Sequence, residues 1–93
     1  MSRKRRGYEA ELRAKQELIK EGFLVVRSSA SLTPFDLVAI REDIIKFIQV
    51  KRQKLKGKYD KDIGQMEKIK MPPNTQKELW VWTDKVGWKK EII

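Results

Sequence analysis

Pro34-Phe35-Asp36-Leu37-Val38-Ala39-Ile40 runs into a charged turn, Arg41-Glu42-Asp43, and the chain returns through Ile44-Ile45-Lys46-Phe47-Ile48-Gln49-Val50-Lys51. Two short apolar runs separated by a tight polar turn read as a β-hairpin. Asp36 opens the first strand and Gln49-Val50-Lys51 closes the second. Side chains alternate across a strand, so Gln49 and Lys51 leave the sheet on one face. An acid, an amide oxygen and a lysine are thus directed towards one place on a small sheet. Hydrolysis of a phosphodiester needs a metal to polarise the phosphate and lower the pKa of water, oxygen ligands for that metal, and a nearby cation. The hairpin offers Asp36 as ligand, the Gln49 amide oxygen and Val50 carbonyl beside it, and Lys51 to position water or neutralise developing charge. Each feature has a blander reading: a turn aspartate, a cross-strand glutamine, a solvated lysine. Their occurrence together favours a metal-dependent nuclease.

Composition narrows the chemistry. At 93 residues the chain makes one domain with one modest core. It has neither cysteine nor histidine, which excludes disulfides, thiolate zinc and imidazole bases. A metal must then be a hard cation held by oxygen, magnesium with manganese as the alternative. The sequence has no run of about 18 apolar residues, and it reads as a soluble, cytoplasmic protein with no membrane association. Its 22 Lys and Arg against 13 acids leave a net charge of +9. Such a field draws polyanions, and DNA is the expected partner. The bland alternative, a Lys/Glu-rich surface suited to heat, does not explain the clustering. Arg3, Lys4, Arg5 and Arg6 form one block; Lys51, Arg52, Lys54, Lys56, Lys58 and Lys61 form another directly after the proposed site. Both blocks, with Arg27, are candidate phosphate contacts.

Outward from the hairpin, residues 1 to 6 read as a flexible basic arm. Residues 7 to 22 read as a helix with Tyr8, Glu11, Leu12, Lys15, Leu18 and Ile19 on one arc and Gly22 as its stop. Glu11 on that arc is either half of an i,i+4 pair with Lys15 or a carboxylate aimed at the site. Phe23 to Arg27 is a short buried strand, and residues 28 to 34 a serine-rich loop. Asp60 to Lys70 is a second helix, with Asp60 or Asp62 at its N-terminus and Pro72-Pro73 ending it. Leu79 to Thr83 and Trp88 to Ile93 are two further strands. Trp80, Trp82 and Trp88 are read as sheet core or an oligomer contact in preference to base-stacking platforms. The order α-β-β-β-α-β-β gives an α/β fold, a mixed sheet flanked by helices.

Glu11, Pro34-Phe35-Asp36 and Gln49-Val50-Lys51 resemble the E…(P)D…(E/Q)xK signature of PD-(D/E)XK nucleases. Within that superfamily the chain is similar to archaeal Holliday junction resolvases. The similarity also runs through Gly7-Tyr8-Glu9-Ala10-Glu11-Leu12, the passage from Gly22 to Ser28, and Val86-Gly87-Trp88. The resemblance implies a restriction-endonuclease-like fold and a magnesium-dependent endonuclease acting on branched DNA as a homodimer. It assigns catalytic positions to Glu11, Asp36, Gln49 and Lys51, and a supporting role near phosphate to Ser29 or Ser31. The metal would be held by Asp36, Gln49, Val50 and Glu11. One departure stands out: the resolvases usually carry glutamate where this chain has Gln49, as Mrr-like enzymes with QxK do not. A sequence-nonspecific nuclease, or a basic DNA-binding module of the same fold without chemistry, remains the alternative.

Overall fold

The structure is a computed structural model that describes residues 2–28, 33–53 and 59–93, without the side chains of residues 2–7. Its elements are α1 (Ser2–Lys20), β1 (Leu24–Arg27), β2 (Leu37–Arg41), β3 (Ile44–Gln53), α2 (Asp60–Glu67), β4 (Thr75–Thr83) and β5 (Gly87–Ile92). The five strands form one sheet in sequence order. Every neighbouring pair is antiparallel except β3 and β4, which run parallel. A parallel pair needs a crossover, and α2 lies in it. The expected order and mixed, restriction-endonuclease-like sheet are therefore present, with β2 and β3 joined by a turn at Glu42-Asp43.

The two faces of the sheet carry separate cores. On one, Ala10, Ala14 and Leu18 of α1 pack with Leu37, Ala39, Ile48, Val50 and Trp80. On the other, Met66 of α2 packs with Phe35, Leu79 and Val81. Trp80 is 1% exposed and meets Trp88 edge-on at 5.3 Å, and Trp88 meets Trp82 at 5.2 Å. The tryptophans thus belong to the core face, as the sheet-core reading expected. Arg13 lies 4.3 Å above the Trp82 ring, an outer lid on that cluster.

Several sequence expectations are corrected. The helix starts at Ser2, so the basic block expected as an arm ahead of it is part of α1. Arginine and lysine are good helix formers, and nothing in residues 2–6 breaks a helix. The buried stripe of α1 is Ala10, Ala14 and Leu18, while Tyr8, Leu12 and Ile19 are only partly covered. Small side chains let a helix axis approach closely, so the alanines sit beneath it and the larger residues lie at its sides. β1 is an edge strand and not buried: Leu24 is 66% and Val26 50% exposed. With Ile40 they line the sheet face that α1 does not cover. α2 ends at Glu67, three residues before the expected Lys70, and Lys77 donates from Nζ to the carbonyls of Met66 and Ile69 at 2.7 and 2.8 Å there. Its N-cap is Tyr59, with no side-chain cap.

The end of α1 is as read. Gly22 adopts φ +93°, Phe23 N–H donates to the Leu18 carbonyl (3.1 Å) and Gly22 N–H to that of Ile19 (3.0 Å). This 6→1 and 5→2 pair is a Schellman ending, and a left-handed residue there is best glycine.

Candidate active site

Asp36 is fixed by its own backbone before its side chain acts. Its N–H donates to the Ile48 carbonyl at 2.8 Å, and its carbonyl accepts from Ser28 N–H at 2.9 Å. Phe35 is buried on one side of it and Leu37 on the other. β2 pairs with β3 only as far as Leu37 opposite Ile48. Beyond that point β3 continues alone on this edge, and the Asp36 carboxylate takes the place of a strand: its Oδ2 accepts from Val50 N–H at 2.7 Å. A residue in a strand points its N–H and C=O to the same side. The Val50 carbonyl therefore faces the same gap as the Asp36 carboxylate.

Gln49 and Lys51 share the opposite face of β3, as the strand period requires. Both reach α2. Gln49 Nε2 donates to Asp62 Oδ1 at 3.5 Å, and Lys51 Nζ lies 3.6 Å from the same oxygen. Gln49 is 7% exposed, and its Oε1 is buried without a hydrogen-bond partner among the described residues. A buried acceptor is costly without a partner, which a water, an ion or a ligand can supply.

Glu11 reaches the site from α1. It pairs with Arg27 at 3.5 Å, and Arg27 in turn lies 4.9 Å above the Tyr8 ring. The partner of Glu11 is Arg27 and not Lys15; burial raises its carboxyl above the ordinary value, and the neighbouring Asp36 charge raises it further, against a lowering by Arg27. Asp36 is raised too, chiefly by burial, with the Val50 N–H, Lys51 and Arg27 pulling it back. Two carboxylates are thus held close, each with its charge partly stripped of water.

A carboxyl raised in the fold holds its proton more tightly there than in the unfolded chain. Its contribution to stability is therefore greatest at low pH and is lost as pH rises from its ordinary value through its folded value. Asp36→Asn removes this penalty while keeping an oxygen for Val50 N–H. In thermal melts without added metal, Asp36→Asn is expected to melt above wild type at neutral pH. The gap should close as pH falls towards the carboxyl's ordinary value of 3.8. A variant less stable than wild type at neutral pH would mean that Asp36 is held by favourable contacts and not against its solvation.

Arg52, expected as a DNA contact, pairs with Asp84 and is largely enclosed. Ser29, Ser31, Lys54, Lys56 and Lys58 lie outside the described residues, as do the side chains of Arg3, Lys4, Arg5 and Arg6. Asp62 was weighed in the sequence only as a helix cap. Its place beside Gln49 and Lys51 could have been suspected from topology alone, since a crossover helix begins at the end of the sheet where β3 stops.

The five-stranded sheet and its helices form a restriction-endonuclease-like fold. The chain is similar to Archaeoglobus fulgidus Hjc, a Holliday junction resolvase from an archaeal hyperthermophile, with a TM-score of 0.74 and 22% identity over 94% of this chain and 72% of that one. No family model and no curated protein matches the sequence. Among the described residues no helix is long and apolar enough to cross a membrane.

Proposed function

We propose that the protein is a divalent-metal-dependent DNA endonuclease that hydrolyses phosphodiester bonds in branched DNA, working as a homodimer. The observation that carries this reading is the pairing of the Asp36 carboxylate with Val50 N–H beside a buried Gln49 whose Oε1 has no partner among the described residues. The donor set is all oxygen and suits magnesium or manganese. Asp36, Gln49 Oε1 and the Val50 carbonyl would hold the ion, with Glu11 joining directly or through water. When bound, the cation polarises the scissile phosphate and lowers the pKa of the attacking water.

The chain's own groups do the rest. Asp36 and Glu11 bring negative charge to the ion. Lys51 stands at the end of β3, where it can meet the phosphate or the attacking water as the P–O bond breaks. Arg27, half exposed beside Glu11, offers a planar donor to a phosphate of the backbone. The net charge of +9 supplies attraction for DNA without sequence preference. Cutting a junction symmetrically needs two sites, hence two copies. Apolar Leu24, Val26 and Ile40, left in water on the β1–β2 face, are consistent with a second copy covering them.

A second reading has its own support. Among the described residues no three His, Cys, Asp or Glu side chains form a metal-holding group, and Gln49 brings no charge. The chain would then be a basic DNA-binding module that has lost its chemistry.

Labelled four-way junction and linear duplex of matched sequence, incubated side by side in magnesium, test the substrate. Paired symmetric cuts on the junction, with the duplex cut at least about tenfold more slowly, are expected. Equal cutting of both would replace the branched-DNA reading with a general endonuclease.

A further inference from the structure

Gln49 has one end that donates and one that accepts, of nearly the same shape. Left alone, its amide has two orientations of similar energy, and only one presents an oxygen to a cation. Asp62 removes that freedom. A carboxylate only accepts, so Asp62 Oδ1 selects the Nε2 end, at 3.5 Å, and Oε1 is the end left over. The same oxygen faces Lys51 Nζ at 3.6 Å. Asp62 stands in the first turn of α2, and its Oδ1 is turned to Gln49 and Lys51 of β3.

We propose that Asp62 is a positioning residue for the metal site: it orients Gln49 so that Oε1 is the ligand, and it carries, one hydrogen bond further back, the negative charge that a glutamate at position 49 would have brought. This rests on the metal-dependent reading above. Partners of ligating side chains hold the donor atom in place and supply charge through it, and their loss weakens metal binding by about 10–100-fold in known sites.

Mn²⁺ affinity of the DNA-free protein, read by electron paramagnetic resonance, separates the possibilities. Asp62→Ala is expected to weaken Mn²⁺ binding about tenfold while its melting temperature stays within a few degrees of wild type. Adding Gln49→Glu to that variant should restore affinity, because a glutamate presents an acceptor in either orientation. Gln49→Glu with Asp62 kept sets two carboxylates against each other and should gain little. If Asp62→Ala melts early, Asp62→Asn keeps the shape and is read instead; a several-fold loss is expected, since an asparagine can meet either end of the Gln49 amide. Unchanged Mn²⁺ affinity in both Asp62 variants would overturn the proposal. So would a loss that Gln49→Glu fails to repair, which would place the effect in α2 as a whole. Wild-type protein that binds no Mn²⁺ would instead overturn the metal reading itself.

Discussion

Asp36→Asn is expected to slow DNA cleavage by about 10³-fold or more, about 4 kcal/mol of transition-state stabilisation, while DNA binding is kept or tightened. The asparagine fills the same space and retains an oxygen for Val50 N–H, so the end of β2 should not move. What it loses is the formal charge nearest the place where a cation would sit. Losing that charge weakens the ion's hold and, through it, the polarisation of the phosphate, an effect made only as the reaction proceeds. Phosphate contacts made by Arg and Lys side chains are untouched, and one repulsive charge is gone from their neighbourhood. Single-turnover cleavage and a parallel binding titration, at one salt concentration, read both quantities. Cleavage at the wild-type rate would remove Asp36 from the chemistry. A matching fall in binding would mean that the substitution disturbs the DNA surface and not the metal.

Trp80→Ala should be the most damaging single change to stability, about 3–5 kcal/mol. The indole is 1% exposed at the centre of the α1 face, against Trp88 and under Lys90, whose ammonium lies 4.0 Å above the ring. Its Nε1–H donates to Glu78 Oε1 at 2.7 Å, and Glu78 Oε2 pairs with Lys46 at 3.2 Å. Truncation therefore opens a cavity and also strips a donor from a buried carboxylate. In a domain of this size about 1 kcal/mol corresponds to about 4–8 °C, so the melting temperature should fall by tens of degrees. Trp80→Phe keeps most of the ring and loses the N–H, and should cost about 1–3 kcal/mol. A loss of only a few degrees in Trp80→Ala would mean that Trp82 and Trp88 close over the space.

The hairpin at the centre of this fold was readable because its signals are local. The apolar run from Leu37 to Ile40 and the polar turn need no knowledge of distant chain, and the shared face of Gln49 and Lys51 follows from period alone. The ending of α1 at Gly22 was readable for the same reason. What failed depends on who packs where. A run of apolar residues at Phe23 to Arg27 does not say whether the strand is central or at an edge, and β1 is at an edge. On α1 the expected arc holds for Leu18, but the rest of the buried stripe is Ala10 and Ala14, whose small side chains permit close contact, and not the bulkier Tyr8, Leu12 and Ile19. Asp62 was hidden for a third reason. Its partners lie 11 and 13 residues back on another element, and only the crossover that makes β3 and β4 parallel brings them together. Of the candidate site, the hairpin residues stand out in the sequence, Glu11 stands there as a choice between two readings, and Asp62 reads only as a helix cap.

The most direct measurement is a magnesium titration of cleavage of labelled four-way junction by the wild-type protein, starting in chelator and repeated with manganese. Cleavage absent in chelator and rising to saturation with either ion is the expected result. Tight, salt-sensitive binding with no product at any concentration of either ion would show a nuclease fold that binds DNA without cutting it.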